Sequence, residues 1–471
     1  MLRRAAFGLG IAVLVAAALL VAHLLAGPPS LSVPAPSVEL AGLTVVNPGE
    51  GRLPDRTLRV RDGRIDAIEE GAAPGASAAF SGAFALPGLI DLHVHHPPAI
   101  ALGERELFSL LFLRHGVTTV RDVGSFGGGL DRQRRRVQEG QLAGPRLYAC
   151  GPILDGDPPG WPGARVVLSA DEARSAIADL AEDGSDCIKI YNSISFDAYL
   201  ALHEEAHRRG LPLVMHLPDG VPFGMLDAVE LQHLMGLSVL PGDDGERALR
   251  SYAKWSKARR ITHTPTLVAF ARGAQLEDYE RLLRDPAAQL LPRHYRELLW
   301  NPEVNPLVHW LEPEGFEVLR PRYETMLQTV AELHRRQIPV MAGTDTMNPF
   351  VVPGASLQEE LSHLVAAGFS LEEAWQVATS GAGRLLAVPG LGTLRPGAPA
   401  DILIFREDPT LDLEALSTLE AVVADGRLYP RAVLDEAIER QRRYFDGPVY
   451  STLYRAVARL LIAAVHAWDG G

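Results

Sequence analysis

Cysteine is nearly absent from this 471-residue chain, with Cys150 and Cys187 its whole complement. That scarcity excludes a disulfide framework and a CxxC metal knuckle, and both thiols are expected to be buried and reduced. Basic clusters are missing too. The net charge is -13, and no run of Lys and Arg offsets it, which argues against a nucleic-acid partner and for small polar or zwitterionic substrates. The glycines of GSFGGG (Gly124 to Gly129) precede no Lys-Ser/Thr pair, which removes a phosphate-binding loop. What remains is the composition of a folded protein, long enough for a barrel of about 250 residues plus a smaller module.

Long apolar runs occur at the two ends of the chain. Arg3 and Arg4 precede about 22 residues, Ala5 to Ala26, that are apolar apart from His23. A signal peptide's apolar region runs only about 7 to 15 residues, and no clear A-x-A cleavage site follows. Residues 1–27 are therefore expected to form an uncleaved transmembrane anchor, with a cleaved signal as the alternative. Residues 28–37 form a Pro/Ser-rich linker, and the body is expected on the extracytoplasmic side. Near the other end, Leu453 to Trp468 is apolar but interrupted by Arg455 and Arg459. This run is read as an amphipathic helix, lying on a membrane or docked on the body, within a helical tail of residues 432–471.

The body is organised as an insertion. Residues 38–88 and 391–431 both read as short β runs broken by Gly, Pro and Asp, and are expected to fold together as one small module. Between them, residues 89–390 alternate strand-like and helical stretches. LIDLHVH, GVTTVRDVG, RLYACG, CIKIYN, LPLVMHL, AVELQHL, ITHTPTLV and IPVMAGTD are eight strand candidates, the count of a (β/α)8 TIM barrel. Ser169 with Glu172 and Ser370 with Glu373 read as capping boxes, and Gly210 as a helix stop. A long connection, residues 269–321, carries Tyr279, Tyr295, Trp300 and Trp310, and is read as a lid or substrate wall, or as a packing or membrane contact.

The chemistry-bearing residues fall at strand ends. In LPGLIDLHVHH, His93 and His95 are two apart, so on a strand both imidazoles face the same way and make half a metal site. Parity puts Cys187, Lys189 and Tyr191 on one face of the fourth strand. A lysine inside a barrel is costly as an ammonium, and reaction with CO2 would convert it to an anionic carbamate ligand; pairing with a buried carboxylate is the plainer alternative. The fifth, sixth and eighth strands end in His216, His233 and Asp345. His263, His96 and His115 are read as structural or surface residues.

This ordered set resembles the amidohydrolase superfamily, over about Leu43 to Tyr429. LPGLIDLHVH, HGVTTVRDVG, IKIY, MAGTD and LGTLRPGAPADILIF are similar to its motifs in order, and GVTTVRDVG, EEAHRRGLPLVMH and SLEEAWQVATSGAGRLL point to its imidazolonepropionase-like and Xaa-Pro dipeptidase-like branch. The resemblance implies an α/β fold, a distorted (β/α)8 barrel with a small composite β-sandwich domain. It implies that His93, His95 and Asp345 hold one divalent metal and His216 and His233 a second, bridged by N6-carboxylysine at Lys189. Two zinc ions per chain are expected, with iron or manganese as alternatives.

Under that resemblance a metal-activated hydroxide attacks a C–N bond of an amide, dipeptide or cyclic amide, with Asp345 as the proton carrier. Tyr191 is read as a hydrogen-bond donor to the substrate carbonyl or the developing oxyanion, or as a residue that packs beneath the long connection. The chain departs from the branch after the eighth strand, where Gln358, Glu359, Glu360 and Leu361 replace His-x-Glu-Leu. It also departs after His216, where Leu217 and Pro218 replace Ala-Tyr. A phosphotriesterase or lactonase on the same site and a non-catalytic membrane-tethered binding protein are the competing readings. A homo-oligomer is expected.

Overall fold

The computed structural model describes residues 27–471 apart from 74, 99–100, 102, 126–127, 162, 235–242, 306–307, 309–317 and 470–471. The expected anchor, Gly27 excepted, and Trp310 lie outside the described residues. Among the described residues no helix is long and apolar enough to cross a membrane.

The chain first lays down β1 (Val38–Asn47), β2 (Gly51–Arg61), β3 (Arg64–Glu70) and β4 (Phe84–Pro87). Gly88 alone separates β4 from β5 (Leu89–Val94), where the barrel begins. β5 and β6 (Val117–Asp122) are buried along their whole length, the mark of parallel strands covered on both faces. The third position of the ring is broken: β7 (Arg146–Ala149) pairs with β6, while β8 (Leu154–Asp155) carries the other edge and a short β9 (Arg165–Val166).

From β8 the ring continues in parallel through β10 (Ile188–Ile190), β11 (Leu213–Met215), β12 (Glu230–Gln232) and β13 (Thr262–Thr264). Residues 339–346 close it. His263 N donates to Pro339 O at 2.9 Å and Met341 N to His263 O at 2.8 Å, and on the other side Leu92 N reaches Ala342 O at 3.2 Å. The result is a TIM-barrel-like α/β ring whose eight positions coincide with the eight candidate runs. Helices such as Glu104–Arg114 and Phe196–Arg209 pack outside it, burying Leu107, Leu111, Tyr199 and Leu202.

The terminal regions meet as expected, but not as two stacked sheets. β14 (Ile402–Phe405), β15 (Leu419–Ala424) and β16 (Arg427–Pro430) extend β1–β4 into one seven-stranded sheet, ordered β16-β15-β14-β4-β1-β2-β3. It curls on itself: Ile65 N in β3 reaches Ala398 O at 3.0 Å, and Gly397 N reaches Ile65 O at 2.7 Å. Leu43, Leu58, Ile65, Ile402 and Val423 fill its interior. The sandwich expectation is thus corrected to a single curled sheet, because edge β3 finds its last partners in the stretch leading into β14.

Local signals read from sequence vary in how they are realised. Ser370 and Glu373 form a reciprocal capping box, and Gly210 ends its helix at φ 70. At Ser169 only half the box forms, because the Glu172 carboxylate bonds Leu168 N at 2.8 Å and leaves the cap residue's own N–H. The long connection is not a loop: it opens with helix Leu267–Ala274 and includes a π-helical turn, Tyr295–Leu299.

Candidate metal centre

Five of the six expected ligands sit at or near the carboxyl ends of their strands, Lys189 lies in the middle of β10, and the structure brings them to one mouth. Asp345 is the hub. Its backbone N–H donates to His93 O at 2.7 Å, which seats the eighth position against β5. Its Oδ1 lies 3.3 Å from His93 Nε2 and 3.1 Å from His95 Nε2, and its Oδ2 lies 3.7 Å from His233 Nδ1. Donor atoms of His93, His233 and Asp345 all fall within 4.8 Å of one another. The His216 ring stands edge-on to His233 at 4.9 Å.

Backbone conformation is spent on this arrangement. His233 and Asp345 hold φ of 60 and 61, a region most side chains avoid, so the flanking contacts over-determine them. Gly343 lets the eighth position close in, since a Cβ there would stand 2.6 Å from Thr264 Cγ2 and 2.9 Å from His93 Cβ.

A ring of polar partners aims the imidazoles. His93 Nδ1 donates to Gln232 Oε1 at 2.6 Å, His95 Nδ1 to the Gly124 carbonyl at 3.0 Å, and His216 Nδ1 to Asn192 Oδ1 at 2.8 Å. Such contacts fix the tautomer and leave Nε2 pointing inward with its lone pair. His93 Nε2, His216 Nε2 and Lys189 Nζ are buried with no hydrogen-bond partner. Buried nitrogens stranded together are costly unless something else binds them, so this donor set fits divalent metals.

Electrostatics agree. Burial pushes the His93 imidazole down to about 4 and holds His216 and His233 well below the usual value, so these rings are neutral, as ligation requires. Burial alone would raise the Asp345 carboxyl, yet His233 and His93 hold it well below the usual carboxylate range. His95 moves the other way: burial lowers it, but its hydrogen bond and charge contact with Asp345 prevail. Burial lowers Lys189 to about 7, so a substantial fraction of the amine is neutral near neutral pH. Arg121 and Glu230 form a bidentate pair, at 3.0 and 2.7 Å, and their opposing charges act on Lys189 in opposite directions.

The amidohydrolase family pattern matches residues 84–429, well over half of the chain. The chain belongs to the amidohydrolase family. It is a hydrolase that acts on carbon–nitrogen bonds. An uncharacterized protein of Mycobacterium tuberculosis is 26% identical over 415 residues, covering 80% of this chain and 94% of its own. A solved structure of a Bifidobacterium longum protein assigned as a prolidase is 25% identical, with TM-score 0.63 over 86% of this chain and 99% of its own. A Xaa-Pro dipeptidase with bound methionine in its active site shares the fold at TM-score 0.59 and 20% identity, over 84% of this amidohydrolase and all (100%) of its own chain.

Other expectations meet mixed outcomes in this amidohydrolase. Tyr191 does reach the mouth: its ring stacks on His216 at 4.1 Å, with Lys189 Nζ 5.3 Å from its centroid. Burial raises its phenol, which stays protonated and able to donate. Cys150 and Cys187 are buried but not reduced; they form a disulfide with Cα atoms 4.3 Å apart. Cys150 ends the third ring position and Cys187 leads into the fourth, so adjacency in the ring pairs them. His263 is structural, its ring set between Tyr252 and Ser256. His96 pairs with Asp122 at 2.8 Å, and His115 with the Leu111 carbonyl at 2.9 Å.

Sequence reasoning missed the orienting partners Gln232, Asn192 and Thr266. Gln232 alone had a signal, lying one residue before a candidate ligand.

Proposed function

We propose that this amidohydrolase is a metal-dependent hydrolase of small amide or dipeptide substrates. The observation that carries the reading is the cluster of buried, unpartnered nitrogens, His93 Nε2, His216 Nε2 and Lys189 Nζ, around the Asp345 carboxylate. His93, His95 and Asp345 would hold one divalent ion and His216 and His233 another, with carbamylated Lys189 between them. When bound, such ions supply Lewis acidity and bring the pKa of water towards neutrality. The chain's own residues do the rest. Asp345 orients the attacking water, takes its proton as the C–O bond forms, and returns it to the leaving nitrogen as the C–N bond breaks. Tyr191 donates to the carbonyl oxygen as charge develops there.

The likeness to proteins described as prolidases supports a dipeptide substrate. The test joins metal analysis to a panel of Xaa-Pro dipeptides, other dipeptides and N-acyl amino acids. Turnover of a panel member that needs about two divalent ions per chain is expected. Full activity after exhaustive chelation, with no metal detected, overturns the reading.

As a further part of this reading, residues 5–26 tether the enzyme to a membrane with its body on the extracytoplasmic side. The Cys150–Cys187 disulfide supports that placement, since disulfides persist in oxidising compartments.

A further inference from the structure

The C-terminal helix, Pro448–Asp469, is docked on the barrel and yet apolar on a second side. Its inner side is accounted for. Tyr450 is buried and donates to Glu104 Oε1 at 3.1 Å, Tyr454 stacks on His294 at 3.9 Å, and Ala458 and Ile462 are buried. Arg455 pairs with Glu297. The opposite side presents Val449, Leu453, Ala456, Leu460 and Ala463, all exposed, with Leu453 at 44% and Leu460 at 72%. Their spacing of four, three, four and three residues draws one straight stripe, about 21 Å long at 1.5 Å per residue. Apolar residues scattered on a surface need no explanation, but a continuous stripe along one helix does.

The location of the stripe narrows what covers it. The described chain starts beside this helix: Pro28 and Phe445 both lie against Gly103, and the Phe445 ring packs on Tyr450 at 4.8 Å. Ser30 then bonds Glu106 at 2.9 Å. Pro28, one residue after the first described residue, therefore lies near the helix's first turn. Gly103 and Glu104 lie beyond the carboxyl end of β5, at the first turn of helix Glu104–Arg114, where Tyr450 contacts Glu104. The helix thus rests on the same end of the barrel as His95 and Asp345.

We propose that the Val449–Leu453–Ala456–Leu460–Ala463 stripe is a lipid-contact surface that lays this helix, and with it the rim of the active site, against a bilayer. The inference rests on the reading that residues 5–26 enter that bilayer. A helix with an apolar stripe bordered by a basic residue, here Arg459, suits the boundary between headgroups and acyl chains, where the guanidinium extends outward. The substrate would then approach the mouth along a membrane surface.

The test uses the full chain carrying Ala456→Cys, labelled with a bimane, because the two native cysteines are paired. The protein is reconstituted in phosphatidylcholine–phosphatidylglycerol vesicles with or without brominated acyl chains. Brominated lipid should cut emission by at least ~2-fold at position 456, and leave an Ala258→Cys label, at the barrel's opposite end, unchanged. Adding Leu453→Glu and Leu460→Glu, at positions that are already solvent-exposed, should abolish the quenching while circular dichroism stays native. Equal emission with both lipids at position 456 overturns the proposal. So does disulfide cross-linking of unlabelled Ala456→Cys between two copies, which would give the stripe to a second chain, or shielding of the label that persists in detergent, which would give it to residues 5–26. Flotation with the vesicles is scored separately: a chain that floats without quenching loses the stripe alone, and a chain that does not float loses the anchor as well.

Discussion

Gln232→Leu separates a metal-site role from a packing role. Gln232 is fully buried, and its Oε1 accepts from His93 Nδ1 at 2.6 Å, while its Nε2 has no partner. Leucine matches the volume and removes both polar atoms. Stranding His93 Nδ1–H costs about 1–3 kcal/mol, and losing a buried unpaired amide N–H2 offsets a similar amount. The stability of the metal-stripped protein should therefore change by no more than about 1 kcal/mol. Metal affinity should not be spared. Without its acceptor the ring can move its proton to Nε2, the atom that faces Asp345, and loss of such an orienting partner weakens binding about 10- to 100-fold. That is about 1.4–2.7 kcal/mol. Competition with a chromophoric chelator measures the affinity, and urea unfolding of the stripped protein measures the stability. Gln232→Glu, which restores an acceptor, should recover most of the affinity. Unchanged affinity in the Leu variant would refute the reasoning, as would a stability loss of several kcal/mol that accounts for the whole effect.

Lys189→Ala should lose metal and turnover together, with partial rescue by short carboxylic acids that imitate a carbamate; full metal content and activity would remove the bridge. Tyr191→Phe keeps the ring stacked on His216, so metal content should hold while kcat falls about 10- to 1000-fold, and an unchanged kcat leaves Tyr191 a packing role. Glu360 is fully buried, accepts from Leu267 N at 3.1 Å and Val268 N at 2.7 Å, and is raised by burial to about 8. Its folded pKa lies above its unfolded one, so the folded state binds more protons between the two and stability drops as pH rises from about 5 to about 8. The urea midpoint of Glu360→Gln should lack that share of the decline; parallel pH profiles would contradict it. The Cys150–Cys187 bond closes a 37-residue separation, so Cys150→Ser with Cys187→Ser should cost about 4 kcal/mol, and the native protein, denatured without reductant, should take up no alkylating agent.

Much of this protein was determined by its sequence alone. The eight runs announce themselves through local composition, because a strand buried on both faces is rich in apolar residues, as β5 is with Leu89, Ile90, Leu92 and Val94. The ligands announce themselves because period-two geometry and strand ends place His93, His95, Lys189, His216, His233 and Asp345 before any long-range contact is known. The tertiary structure decided what depends on distant segments meeting. The third ring position breaks between β7 and β8, and the terminal modules close as one curled sheet, because edge hydrogen bonds go to whichever backbone lies beside them in space. Cys150 and Cys187, 37 residues apart, become neighbours only when adjacent strands close the ring. Gln232, Asn192 and Thr266 carry no chemistry of their own in sequence; they became part of the site when packing set each against an imidazole Nδ1. Period and polarity act along the chain and can be read there, whereas an orienting hydrogen bond exists only between atoms that the fold has already brought within 3 Å.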